Sequence, residues 1–363
     1  MSLFPSVVKR PKLVCGPLVP SKLSDAIAID EYTPADAPEV ISLMNRSLGR
    51  TQQVRRDVDY WHWKHEQNPF GRSIVLLARS DGQLVGLRAF MQWQLQIQGQ
   101  MVRVGKPVDT VTHPEFQRRG IFRQLTNRAC EVAKQRGIFL LFNTPNQNSR
   151  PGYLKLGWKP IGNVRFRFRP LHPWRMGWRL LTNKGSGSSP SVWTALRAVP
   201  AATLLQDHAL VKDLLVETVD YDRAVTVKSY EWLRWRYSEH PHLSYFAMDV
   251  RRQGVLEGIV FFRANRRHGM HEIMVVDCLT RGDNVKVTQE LFRKMRRLPE
   301  ADYLVGCWNP ATPTGRCWQR ATLPAPPQKS AALIGRLQGP VEADWDPFEL
   351  TQWNLSLGDL EGL

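Results

Sequence analysis

The stretch Val104–Phe122, V-G-K-P-V-D-T-V-T-H-P-E-F-Q-R-R-G-I-F, constrains the fold more than any other part of the chain. Pro107 to Thr112 is rich in β-branched residues and reads as a strand. His113-Pro114 ends it, because proline has no N–H to give to a ladder. Gln117-Arg118-Arg119-Gly120 then makes a basic turn. Ile121 opens a helix whose apolar positions Ile121, Leu125, Ala129 and Val132 share one face. The first amides of such a helix have no intrahelical acceptor and sit at the positive end of its dipole, so a Gly-containing basic turn in front of it is an anion site. On these residues alone, an ordinary solvated turn stays open as the alternative.

Charge agrees with an anionic partner. The 50 Lys and Arg outnumber the 33 Asp and Glu, leaving a net +17 that suits a phosphorylated cofactor, nucleic acid or an anionic membrane face. At 363 residues the chain is long enough for two domains. No apolar run reaches the roughly 18–20 residues that span a bilayer, and no apolar stretch follows the first charges, so neither a membrane span nor a secretory leader is expected. Cys15, Cys130, Cys278, Cys307 and Cys317 never fall in CxxC spacing and read as free thiols of a reducing cytoplasm. The pairs His62/His65 and His268/His271 lack the cysteines or carboxylates of a structural metal site, so no metal is expected.

Residues 1–26, with four prolines, read as a flexible arm. From Ile27 onward a short strand, a helix over Ala35–Leu48 and a second helix over Asp57–Glu66 are expected. Strands follow at Ile74–Ala78, Leu84–Met91, Trp93–Gln98 and Met101–Val104, with hairpin turns at Asp81-Gly82 and Gly99-Gln100. After the opening stretch, Arg136-Gly137 stops the helix and Ile138–Asn143 reads as a buried parallel strand. Asn146 to Trp158 reads as a short helix and a turn. Between Val164 and Lys184, arginines alternate with aromatics and no acid occurs. Arg165–Arg169 is expected as an edge strand with its arginines outward; a membrane-surface segment over 165–181 and a nucleic-acid groove are the other readings. The run 184–190 is a Gly/Ser linker by composition.

The chain also repeats itself. Tyr60–Lys64, followed by Asn68-Pro69, is echoed by Trp232–Arg236, followed by His240-Pro241; at the same offset Gly86 matches Gly258. Pro107–Thr112 is echoed by Val275–Thr280, but Arg281-Gly282-Asp283-Asn284 replaces the basic turn and puts an acid at the helix start. A second copy of one fold is therefore expected over about 220–335, with an acidic tail over 336–363.

These residues resemble the GNAT acyltransferase superfamily. Gln117-Arg118-Arg119-Gly120-Ile121-Phe122 is similar to its acetyl-CoA loop, which reads Arg or Gln, two residues, Gly, one residue, then Gly or Ala; Phe122 departs from the last small residue. Asn146, Ser149, Tyr153, Gly157 and Trp158 are similar to a second family segment at the same spacing, with Ser and Trp as departures. The resemblance covers residues 27–170 well and 220–335 as a degenerate echo. It implies a mixed α/β fold of two GNAT-like domains, each a twisted mixed sheet flanked by helices, the first catalytic and joined to the second by the basic segment 171–219. It implies acetyl-CoA as co-substrate, entering between splayed strands Pro107–Thr112 and Ile138–Asn143. The backbone of Thr110, Val111 and Thr112 would hold the pantetheine. Gln117, Arg118, Arg119, Gly120, Ile121 and Phe122 would hold the pyrophosphate, and Asn146 and Ser149 would bond the pantetheine arm. Tyr153 would protonate the leaving thiolate. Asp109, a charge in an apolar strand, is expected either as general base or as a structural group with a buried partner; His113 is a further candidate base. The function implied is acetyl transfer to an amine such as an amino sugar, in the cytoplasm, with a contact at the inner membrane face as an open expectation. An aminoacyl transferase using charged tRNA and a non-enzymatic membrane- or nucleic-acid-associated protein are the alternatives.

Overall fold

The computed structural model describes residues 27–48, 55–182, 198–218, 222–324, 330–340 and 345–360. The expected arm over 1–26 and the Gly/Ser linker lie outside the described residues. In chain order, the first half contains β1 (Ala28–Glu31), α1 (Ala37–Leu48), α2 (Val58–His65), β2 (Ile74–Ser80), β3 (Gln83–Ile97), β4 (Gln100–Thr112), α3 (Ile121–Gln135), β5 (Leu140–Asn143), α4 (Arg150–Lys155) and β6 (Lys159–Arg165). Then come β7 (Arg167–Pro170), α5 (Pro173–Thr182), β8 (Val199–Pro200), α6 (Ala201–Leu204), α7 (His208–Val216) and β9 (Ala224–Thr226). The second half continues with α8 (Tyr230–Tyr237), β10 (Phe246–Arg252), β11 (Val255–Arg267), β12 (Met270–Thr280), α9 (Val285–Met295), β13 (Tyr303–Gly306), α10 (Pro313–Ala321), β14 (Leu323–Pro324), β15 (Ser330–Leu337) and β16 (Trp353–Asn354).

Local chemistry explains the hairpins. Each of the turns joining β2–β3, β3–β4, β10–β11 and β11–β12 has two residues of positive φ: Asp81-Gly82, Gln98-Gly99, Gln253-Gly254 and His268-Gly269. That backbone matches the twist of the flanking strands, and glycine takes the second position without a Cβ penalty. β3 is one strand through Gln92, which pairs with Gly105, so the two strands expected on either side of Gln92 are joined. Asp57 and Ser229 cap α2 and α8, each side chain accepting from the amide three residues on.

Two mixed sheets result. The first has the order β1-β2-β3-β4-β5-β15-β6 and the second β8-β10-β11-β12-β13-β7-β14. Read this way, the sixth strand of each sheet comes from the other half. β15 lies antiparallel between β5 and β6, and β7 lies between β13 and β14. The boundaries suggested by the sequence therefore cut across these exchanges, since 167–170 belongs to the second sheet and 330–337 to the first. Arg167 and Arg169 are not on an outer edge strand: they donate to the carbonyls of Gln319, Thr322 and Ala321.

The halves meet in one apolar core centred on tryptophans. Trp63 Nε1 donates to the Trp235 carbonyl at 2.9 Å, and Trp235 Nε1 donates to the Trp63 carbonyl at 2.9 Å. Their rings stack with centroids 4.7 Å apart. The C-terminal segment is docked here, with Trp345, Trp353, Leu355, Leu357 and Leu360 buried.

Candidate active site

A β-bulge and a short parallel pairing open the first sheet. β3 pairs with β4 at Arg88↔Thr110 and next at Phe90↔Pro107, so Val108 and Asp109 together oppose one residue. β4 pairs with β5 only at Val104↔Leu140 and Gly105↔Leu141. Gly105 permits that approach: a Cβ there would stand 2.7 Å from Leu141 Cδ2. Beyond Gly105 the strands separate, with Asn143 Nδ2 reaching back to the Pro107 carbonyl at 3.4 Å. A cavity of about 1060 Å³ opens in this wedge.

At its mouth stands the turn before α3. Arg118 and Gly120 both have positive φ, 66° and 79°. Gly120 is the N-cap of α3 and supplies no capping side chain, so the amides at this end of the helix have no side-chain acceptor from the cap. Thr110, Val111, Thr112, Gln117, Arg118, Gly120, Ile121, Phe122, Asn146, Ser149, Tyr153 and Asp109 all line the cavity, together with Lys64, Lys106, Arg123, Asn143 and Leu360. Arg119 does not; its guanidinium sits 4.8 Å over the Phe116 ring. His113 is buried, caps the following turn through Nδ1 and is also absent from the wall. Asn146 Oδ1 accepts from the amides of Asn148 and Ser149 and from Ser149 Oγ, shaping the entry to α4. Phe122, too large for the pattern it departs from, packs edge-on to Tyr153 at 5.6 Å. Gly152 makes room for it, since a Cβ there would meet the Phe122 ring at 3.0 Å.

A wholly buried charge and a half-buried one stand behind the cavity or line it. Arg88 is wholly buried; Nη2 donates to Tyr153 Oη at 2.6 Å and Nη1 donates to Thr110 Oγ1. Phe90, Phe122 and Tyr153 surround the guanidinium at 5.0–5.4 Å, and no carboxylate pairs with it among the described residues. Asp109 is the opposite case. Lys64 Nζ lies 2.8 Å and His65 Nε2 3.0 Å from its Oδ2. Burial pushes the Asp109 carboxyl up, but the Lys64 charge and the His65 hydrogen bond outweigh it and hold the group well below the usual carboxylate range. A carboxylate held so low is a weak proton acceptor, so the geometry favours the structural expectation for Asp109 over the general-base one. Arg88 escaped the sequence reading although it gave the same signal as Asp109, a charge inside an apolar strand.

In the second sheet, the C-terminal segment packs against β12. Ser356 Oγ and Tyr237 Oη donate to Asp277, and Lys228 Nζ bonds Asp277 and Asp359. Gly358 lies against this cluster, where a Cβ would stand 2.6 Å from Asp277 Oδ2. The C-terminal segment is thus anchored to β12, and its Asp359 and Leu360 go on to line the cavity of the first sheet. The start of α9 is also sealed, because Asn284 Oδ1 accepts from the amides of Lys286 and Val287. No group of three or more possible metal ligands occurs among the described residues.

Residues 28–161 match the family described as acetyltransferase (GNAT) domain. No protein of curated function matches the chain. Among solved structures, a GCN5-related N-acetyltransferase from Anabaena variabilis is similar at 10% identity and a TM-score of 0.62, over 86% of this chain and 73% of that one. One from Kribbella flavida is similar at 15% identity and 0.56, over 86% and 71%. Saccharomyces cerevisiae N-myristoyltransferase with bound myristoyl-CoA is similar at 12% identity and 0.54, over 92% and 89%. Residues 28–161 thus match the acetyltransferase (GNAT) domain family, and the chain shares the fold of GNAT proteins.

Proposed function

We propose that the protein is an N-acyltransferase that uses an acyl-CoA, with acetyl-CoA as the expected donor and a small amine, such as an amino sugar, as acceptor. The observation that carries this reading is the wedge between β4 and β5, with the uncapped start of α3 at its mouth and Tyr153 on its wall. The amides of Gly120, Ile121 and Phe122, with the charge of Arg118, suit a pyrophosphate. The unpaired edge of β4 over Thr110–Thr112 offers backbone groups to the pantetheine amides, and Asn146 and Ser149 border the same path. Arg119, stacked on Phe116, we assign to shaping the turn.

Transfer forms a C–N bond and breaks the C–S bond of the thioester; the amine loses a proton and the departing sulfur gains one. Tyr153 holds that second proton. Because Arg88 donates to Tyr153 Oη, the hydroxyl hydrogen is left to point elsewhere, toward the cavity that Tyr153 lines. The same guanidinium would stabilise the phenolate that remains, which makes Arg88 the positioning partner of the acid. Asp109 we assign to anchoring Lys64 and His65 beside the acceptor end of the cavity.

We read the second half as a degenerate copy that has exchanged chemistry for structure. At matching places Val260 stands for Arg88, Arg316 for Tyr153 and Tyr237 for His65, while Asn309 repeats the cap of Asn146 on the following turn. Buried free cysteines at 130, 278, 307 and 317 support a reducing, cytoplasmic setting. The test is release of CoA thiol with amine panels and acyl-CoAs from acetyl to myristoyl. Amine-dependent release by wild type and its loss in Gly120→Glu support the reading; no release with any pair overturns it.

A further inference from the structure

We propose that α5 docks the protein on an anionic lipid bilayer. The helix presents Trp174, Trp178 and Leu181 to solvent at helical spacing, with 88%, 61% and 88% of each residue exposed. Its other side is fastened. Arg175 Nε lies 2.5 Å from Asp302 Oδ1, and Arg179 Nη1 lies 2.7 Å from Asp302 Oδ2, the carboxylate itself being wholly buried. Arg175 also donates to the carbonyls of Pro299, Glu300 and Ala301, and Arg179 to that of Gly269. The two arginines therefore fix the helix by its polar face and hold its apolar face outward. Large apolar side chains grouped on one surface mark an interaction site.

Charge identifies the occupant. From Lys159 to Thr182 the chain has no acidic residue. The turn gripped by Arg179 carries Arg266, Arg267 and His268, and the one gripped by Arg175 follows Arg293, Arg296 and Arg297. Burial, reinforced by the charges of Arg169 and Arg293, lowers the Arg296 guanidinium, as expected where cations crowd without acids. Glu300 is the one acid in these turns that is not buried. A second copy would bring two such positive faces together. A layer of lipid phosphates complements the charge, while tryptophans suit the boundary between headgroups and acyl chains. No residue of α5 lines the cavity, so docking leaves the proposed reaction site open.

The experiment is flotation of the full chain with vesicles of phosphatidylcholine alone or mixed with phosphatidylglycerol. Wild type should float with the mixed vesicles, release in high salt and stay down with the neutral ones. Trp174→Ser/Trp178→Ser and, on other elements, Arg266→Glu/Arg297→Glu should each lower the apparent affinity by about tenfold or more while leaving the thermal midpoint unchanged. Failure of wild type to float with anionic vesicles overturns the proposal, as does flotation of both variants at the wild-type level. Sedimentation showing a wild-type dimer that the tryptophan variant abolishes assigns the face to a second copy and overturns it equally.

Discussion

Arg88 and Asp109 flank one bulge, and their partners decide their roles. Arg88 has phenol and hydroxyl oxygens for partners and remains a net cation beside Tyr153. Removing the acid in Tyr153→Phe should lower kcat by about 100-fold with little change in acyl-CoA affinity, as measured by thiol release and calorimetry. Arg88→Met should lower kcat in the same direction, and Arg88→Lys should restore part of it; a fall in affinity alone would place Arg88 in binding instead. Asp109 belongs to stability. Asp109→Asn leaves the buried Lys64 without its counter-charge and should cost about 3–5 kcal/mol in urea unfolding at neutral pH. The sign follows from the depressed carboxyl: its stabilisation is complete above the unfolded pKa of about 4 and fades as pH falls toward the folded value. The deficit of the variant should therefore shrink in acid. That Asp109 would need a partner was legible from its place in an apolar strand. Which partner was not, because Lys64 and His65 lie on a helix more than forty residues earlier.

The strand-turn-helix from β4 to α3 is where sequence and structure agree most closely, because its determinants are local. β-Branched residues, a proline stop, a glycine of positive φ and an apolar helical stripe all lie within one short stretch. The Asp81-Gly82 turn was legible for the same reason, whereas the next hairpin turns one residue before the expected Gly99-Gln100, at Gln98-Gly99. β7 was misread as an outer edge, because the strands that flank it come from residues 303–306 and 323–324 and nothing local announces them. Gly120→Glu adds a carboxylate to the anion site and should weaken acetyl-CoA binding by at least about 100-fold, with Gly120→Ala milder and costing about 1 kcal/mol of stability for its strained φ.

For the molecule as a whole, the strand exchange and the reciprocal tryptophans tie the halves into one cooperative unit. A fragment ending at 170 would lack β15, leaving β6 unpaired, β5 held by β4 alone and Trp63 without Trp235. Such a fragment should not fold, whereas the full chain should melt in a single transition; two separate transitions would contradict the exchange. Trp235→Ala should cost about 3–5 kcal/mol by opening the shared core. The proposed repeat rests on the sequence, through its tryptophans and Asn-Pro or His-Pro turns. The packing of Ser356–Leu360 against β12 was not legible there, since a short acidic segment carries no sign of what it will cover. We propose one acyl-CoA site, in the first half, and a count of bound ligand decides it. Calorimetry of acetyl-CoA with wild type, Gly120→Glu and Gly282→Glu, the latter in the turn before α9, gives that count. One equivalent should bind to wild type and to Gly282→Glu, and none to Gly120→Glu. Two equivalents, binding that survives Gly120→Glu, or no binding by wild type would contradict it.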